Sequence, residues 1–283
     1  GSEISGFELY GAKRSLEEAD PIEGRDVQFT RCMSQLSDQT DRHVVVVGGE
    51  PGAGRTRFAL DVARKLMDQA DDSRILLFSH GRYAFSRIPM RPILHTLRRL
   101  AMSQLGPDRD RSPVTVSDII AHRTSEIEGA LRDTSRSKVT NDSMVRTQEL
   151  IHQLISDISK QKTIVWIVDE FDKLDCKSQR LLEEAASAQT PLRLLLTVDD
   201  CQAAATCNRF QEVTTLALDP LSRQVSETVF EQLMSQKQKR IETPTGRELT
   251  RLELDGLKQN LPQNPQRIVE YAEQIVSARN NIS

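Results

Sequence analysis

One stretch constrains the fold more than any other. From His43 to Arg57 the chain reads H-V-V-V-V-G-G-E-P-G-A-G-R-T-R. Four consecutive valines, Val44 to Val47, suit a strand covered on both faces, since neither alternate position is polar. Gly49, Gly54 and Thr56 then fall at the spacing G-x-x-x-x-G-K-[ST] of a phosphate-binding loop, with Arg55 where lysine is expected. Phe58, Ala59, Leu60, Val62 and Ala63 open an amphipathic helix. Such glycines let successive backbone N–H groups curl toward phosphate oxygens, and the helix N-terminus adds partial positive charge at the same point. Thr56 would offer its hydroxyl to a magnesium ion.

Further strands are read at Arg74 to Phe78, Thr163 to Val168, Pro191 to Val198 and Glu212 to Ala217. Helical spacing predicts a helix after Asp26, its possible cap, with Val27, Phe29, Cys32, Met33 and Leu36 on it. Other helices are expected over Met90 to Leu105, Ile119 to Leu131, Asn141 to Lys160 and Lys177 to Ala186. Alternation of this kind means a parallel sheet with helices on both faces. Beyond Ser222 the pattern is all-helical, over Val225 to Met234, Leu249 to Leu261 and Pro265 to Val276. Asp219-Pro220-Leu221 marks the change. The expected organisation is an arm over 1–20, an α/β base over 21–218 and a helical lid over 219–283, with polar loops over 107–118 and 132–144.

Asp169-Glu170 closes the apolar strand T-I-V-W-I-V. A carboxylate there can hold a magnesium-bound water beside Thr56, and the adjacent glutamate can orient an attacking water, as in-line phosphoryl transfer requires. Arg55 weakens the case for turnover. Lysine places a compact charge between phosphates, whereas a guanidinium is longer, planar and forked, although it still binds phosphate bidentately. Nucleotide binding is therefore expected more firmly than hydrolysis.

The net charge of −3, from 38 basic and 41 acidic residues, announces no nucleic-acid surface for the chain as a whole. Aromatics at 4% argue against a base-stacking platform. Cys32, Cys176, Cys201 and Cys207 lack zinc-finger spacing and read as free thiols. No apolar run is long enough to cross a membrane. Gly1-Ser2 reads as the scar of a cleaved tag, so the chain is expected to be an excised piece of a longer protein.

Together these residues resemble AAA+ ATPases, specifically the initiator branch that holds the origin recognition complex subunits. Gly24-Arg25-Asp26 is similar to the turn that precedes that family's phosphate loop, and Asp169-Glu170-Phe171-Asp172-Lys173-Leu174 to its second motif. Ala188-Gln189-Thr190-Pro191-Leu192 looks most like the fourth origin recognition subunit. The resemblance implies a P-loop NTPase base of five parallel strands in the order 5-1-4-3-2, followed by a small helical lid. It implies ATP and Mg2+ as cofactors, with Gly49, Pro51, Gly52, Ala53, Gly54, Arg55, Thr56 and Arg57 around the phosphates. Thr56 and Asp169 would serve the metal and Glu170 the attacking water. The polar sensor at the end of the Pro191 to Val198 strand would fall within Thr197 to Asp199, with Asp199 the preferred match, although the family often has asparagine there. Arg209 in Asn208-Arg209-Phe210 would be an arginine finger acting on a neighbouring subunit, or else an ordinary surface arginine. Arg267 would be the lid's sensor arginine, unless the register puts Gln266 there.

The partners implied are other AAA+ subunits of a hetero-oligomeric complex, and DNA through that complex, in the nucleus. A winged helix usual in the family would lie beyond Ser283. Two other readings stand beside this one. A signalling ATPase switch would share the loop and the acids, and a silent scaffold would keep the shape alone.

Overall fold

The computed structural model describes residues 24–37, 43–69, 73–81, 89–104, 118–120, 122–127, 129, 141–187, 192–240 and 251–280. The arm expected over 1–20, the loops over 107–117 and 132–140, and the segment 188–191 lie outside the described residues.

Five strands make one parallel sheet: β1 (Val44–Gly49), β2 (Arg74–His80), β3 (Thr163–Asp169), β4 (Leu192–Asp199) and β5 (Val213–Ala217). Their spatial order is β2-β3-β4-β1-β5, the expected 5-1-4-3-2 read from the other edge. Along β1, Val44 and Val46 pack into one apolar layer and Val45 and Val47 into the other. That is why the four valines carry no alternation. α1 (Asp26–Ser37) and α2 (Arg55–Asp68) cover the second layer with Cys32, Leu36, Phe58, Val62 and Leu66. α3 (Arg91–Gln104), α4 (Asn141–Ser159) and α5 (Cys176–Ser187) cover the first, around Trp166, Ile93, Leu97, Ile151, Leu154 and Leu181. Helical residues at 118–120 and 122–127 add Ile120 and Ile127 to that layer.

Several local expectations differ. The N–H of Phe29 bonds the carbonyl of Arg25 at 2.8 Å, so Arg25 rather than Asp26 occupies the cap of α1. Gly24, with φ of 75°, makes the tight entry to it. Val27 is 78% exposed, because the first turn of α1 overhangs the layer that Cys32, Met33 and Leu36 enter. An unforeseen helix, α6 (Asp200–Cys207), fills the β4-to-β5 crossover. It packs on the sheet through Ala203 and Cys207, and Gly48 leaves room for the Ala203 methyl at 3.0 Å from where a Cβ would stand. So weak an apolar stripe gives helical periodicity little to register.

The helices α7 (Arg223–Arg240), α8 (Arg251–Lys258) and α9 (Pro265–Asn280) follow β5. They share a separate core of Leu221, Phe230, Met234, Ile268 and Ala272. Among the described residues no helix is long and apolar enough to cross a membrane. All four cysteines are free, and burial pushes the Cys32 thiol up to about 12, which fits an inert core thiol.

Candidate nucleotide site

In a parallel sheet, the loops that follow the strands cluster along one edge. Here the C-terminal ends of β1, β3 and β4 bring together the loop Gly49–Thr56, the acids Asp169 and Glu170, and Asp199. The register makes this concrete, with Gly49 opposite Asp199 and His80 opposite Asp169.

The loop owes its shape to its glycines. Gly52 and Gly54 have φ of 84° and 90°, the left-handed region where a Cβ is penalised. The N–H of Ala53 closes a turn on the carbonyl of Glu50 at 3.0 Å. The loop's carbonyls are taken up from outside. Asn264 Nδ2 donates to Pro51 at 3.0 Å, the N–H of Gln266 to Gly52 at 3.2 Å, and Arg25 Nη2 to Ala53 at 3.5 Å. In a trans peptide the N–H points opposite its carbonyl, so the N–H groups of Gly52 and Gly54 face away from Asn264 and Arg25. Above Gly54 the space is almost open, with nothing nearer to an added Cβ than a Pro265 carbon at 3.9 Å.

Thr56, in the first turn of α2, donates its hydroxyl to Asp169 Oδ2 at 2.8 Å. Asp169 is fully buried at the end of β3, and its other oxygen accepts from the Thr197 hydroxyl at 2.5 Å. Thr197 in turn accepts from the N–H of Glu170 at 2.8 Å. One threonine on β4 thus holds both acids of the motif. Glu170 has φ of 55°. Its carbonyl lies so close to Gly81 that an added Cβ there would stand 2.0 Å away, so only glycine fits at that position. The Glu170 carboxylate is engaged at both oxygens, by Lys173 Nζ at 2.7 Å and by His80 Nδ1 at 3.4 Å. His80 Nε2 also reaches Asp169 Oδ2 at 3.3 Å. The bond to Glu170 raises the pKa of Lys173, so it stays an ammonium at neutral pH.

Arg55 is 9% exposed and turns its Nη2 onto Asp199 Oδ1, forming an ion pair. Its Nη1 is buried without a hydrogen-bond partner. Asp172 Oδ1 is likewise buried and unbonded, and desolvation, with Asp199 second, raises the Asp172 carboxyl above its usual range.

The other sequence-predicted residues are placed as follows. Arg57 pairs along α2 with Asp61 at 3.1 Å. In the lid, Gln266 is the residue packed against the loop, with its Cβ and Oε1 each 2.9 Å from where a Gly52 Cβ would be. Arg267 is exposed, and its N–H meets the Asn264 side chain at 3.4 Å. Arg209 lies away from the loop, on the turn after α6. It donates to Gln179 at 2.6 Å and Glu183 at 2.9 Å on α5. Gln179 also donates to the carbonyls of Phe171 and Leu174, which brace the turn after Glu170.

Sequence reasoning gave no role to His80, Lys173, Asn264 or Gly81, named Thr197 only as one end of the sensor range, and saw Arg25 only as part of a turn. Arg25 is buried, and burial pulls its pKa below the ordinary arginine value against the opposing charge of Asp219. These residues depend on strand register and on the lid's docking, neither of which is written in local spacing.

The donor set fits a nucleoside triphosphate with magnesium. The loop turns N–H groups away from its carbonyl partners and has an open mouth, Arg55 keeps one buried guanidinium arm without an acceptor, and Thr56 touches Asp169. No cluster of three or more metal-ligating side chains occurs among the described residues. Magnesium needs none, since it is held by one or two protein oxygens together with phosphate and water.

Comparison with known proteins agrees with this geometry. By structure the chain is similar to Cdc6p from Pyrobaculum aerophilum, with a TM-score of 0.56 and 10% identity over 95% of this chain and 66% of that one. It is also similar to domain III of the replication initiation protein DnaA from Thermotoga maritima, with a TM-score of 0.51 and 10% identity over 94% of this chain and 89% of that domain. At such identity these likenesses speak for the fold. A sequence search among curated proteins gave no significant match. A family model described as "AAA ATPase domain" matches residues 22–198, more than half of the chain and the whole of the loop and acid motifs. The chain therefore belongs to the AAA ATPase domain family.

Proposed function

We propose that this protein is an ATP-binding AAA+ subunit of the replication-initiator type, which holds ATP with Mg2+ between base and lid and assembles with other AAA+ subunits around DNA in the nucleus. The contact between Thr56 and Asp169 carries the nucleotide reading. It brings a hydroxyl and a carboxylate together at the mouth of a glycine loop, where one or two protein oxygens would complete the shell of a phosphate-bound magnesium. The lid, taken as residues 219–283, closes the same loop through Asn264 and Gln266. The initiator assignment rests on the Gly24-Arg25-Asp26 turn, the second motif and the Asn208-Arg209-Phe210 element. Their fold is shared with two proteins described as Cdc6p and a replication initiation protein.

Within that reading each side chain has a task. The loop N–H groups would bind phosphate oxygens, and Thr56 and Asp169 would hold the metal, which when bound would supply charge neutralisation on the phosphates. Glu170 would orient the attacking water, but Lys173 and His80 occupy its carboxylate. That engagement, with Arg55 turned toward Asp199, favours a second reading in which nucleotide is held as a structural latch and turned over slowly.

Titration with a fluorescent ATP analogue, with and without Mg2+, tests the binding. Saturable, magnesium-strengthened binding is expected, and none at millimolar nucleotide would end the proposal. Single-turnover hydrolysis by the chain alone and mixed with candidate partner subunits separates enzyme from latch. A partner-independent rate typical of an ATPase would rule out the latch. Co-purification with those subunits on origin DNA tests the assembly.

A further inference from the structure

Two departures from the nucleotide-binding pattern stand at separate places in the sequence, arginine for lysine at 55 and aspartate for asparagine at 199. In the folded chain they touch: Arg55 Nη2 pairs with Asp199 Oδ1. The register sets Asp199 beside Gly49, so the pair ties the first turn of α2, just past the loop, to the end of β4. Arg55 Nη1 is left buried and unbonded. The carbonyls of Pro51, Gly52 and Ala53 are engaged by Asn264, Gln266 and Arg25 instead.

A guanidinium has two arms in fixed geometry, so one can rest on a carboxylate while the other faces a second anion. An ammonium also has several donors, but they share one nitrogen on a flexible stem, so beside Asp199 the whole charge would settle nearer the carboxylate and farther from phosphate. We propose that Arg55 and Asp199 act as one unit, in which Asp199 is a positioning residue that pins the Nη2 arm and leaves Nη1 to meet a terminal phosphate oxygen. The inference rests on the nucleotide-binding reading above and assigns a cause to both departures. Each compensates the other, and restoring either alone is harmful.

A double-mutant cycle on Mg–ATP affinity tests it, with melting temperature recorded for every variant. Arg55→Lys alone should weaken binding about tenfold, since Asp199 captures the shorter cation. Asp199→Asn alone should weaken it severalfold, since the fork loses its anchor. The double variant R55K/D199N should return to within about threefold of the unmodified chain, the strong coupling expected of residues in contact. Losses that simply add, or an R55K variant that binds more tightly, would overturn the proposal. Should the double variant fail to fold, nitrogen NMR of the unmodified chain decides, with the Arg55 signals assigned by their absence from R55K. Saturation with Mg–ATP should shift one Nη resonance and leave the Asp199-facing one in place. A shift of both or of neither sinks the idea. If the unmodified chain binds no ATP, both this inference and the proposed function fall. If it binds and the losses add, only the inference does.

Discussion

Two neighbouring strands end in an aspartate at the same edge of the sheet, and the two ends are built differently. At the end of β3, Asp169 is fully buried and both of its oxygens accept hydroxyl hydrogen bonds, from Thr56 and Thr197. At the end of β4, Asp199 meets a guanidinium through an oxygen with no aligned hydrogen bond, beside the unbonded Asp172 Oδ1 and Arg55 Nη1. Buried polar groups are nearly always satisfied, so the first end is complete and the second awaits something. In the function proposed above, the first end would be the preorganised metal side and the second the phosphate side, left for the ligand to finish.

The largest expected effect comes from breaking the finished end. Asp169→Asn keeps the shape but removes the charge and turns one acceptor into a donor that faces a hydroxyl. Loss of even an outer-shell partner costs about 10–100-fold in metal affinity, so magnesium-dependent ATP affinity should fall by at least that much. Titration with ATP at fixed nucleotide and varied Mg2+ measures it. Unchanged magnesium dependence would move the metal elsewhere.

Next comes the brace. Thr197→Val conserves volume and deletes the hydroxyl, removing the donor to buried Asp169 Oδ1 and the acceptor of the Glu170 N–H bond. Each buried group left unsatisfied costs about 1–3 kcal/mol, so chemical denaturation should show a loss of that order. A change below half a kcal/mol would mean that water replaces the hydroxyl.

How much of this contrast was legible beforehand depends on the reach of each signal. The four valines fixed β1 as a two-sided strand, and the glycine spacing placed the loop, because both are local demands of backbone geometry. The sheet order came through resemblance, and the register that sets His80 opposite Asp169 did not come at all. Thr197 and Asp199 are two residues apart on one strand, so spacing alone could not say which reaches the acids of β3 and which reaches Arg55. α6 was hidden because its apolar face is too narrow to leave a period.

The unfinished end predicts a smaller, pH-dependent effect. The Asp172 carboxyl has a raised pKa, from desolvation first and Asp199 second, so the folded chain binds its proton more tightly than the unfolded chain does. Its protonated form therefore favours folding. That contribution fades as pH climbs through the ordinary carboxylate range and is gone above the raised folded value. Asp172→Asn removes the titration. It should leave the melting temperature nearly unchanged near pH 4 and raise it by about 1–2 °C at pH 7. A difference that shrinks with rising pH would reverse the assignment.

The smallest effect is expected where an arginine pair lies outside the site. Arg209 meets Glu183 at 2.9 Å as Arg55 meets Asp199, yet its side chain is 45% exposed. Water screens such a pair, and exposed ion pairs contribute about 0–1 kcal/mol. Arg209→Ala should therefore change the stability of the isolated chain by less than about 0.5 kcal/mol, by denaturant titration. A larger loss would mean that Arg209 supports the turn after Glu170 through Gln179, whose side chain bonds Phe171 and Leu174. The same substitution assayed in a mixture with partner subunits separates the two arginines by role. A fall in the partner's hydrolysis with unchanged stability here makes Arg209 a residue that acts across an interface. No fall leaves it a surface pair and confines the functional arginine chemistry to the buried fork at Arg55.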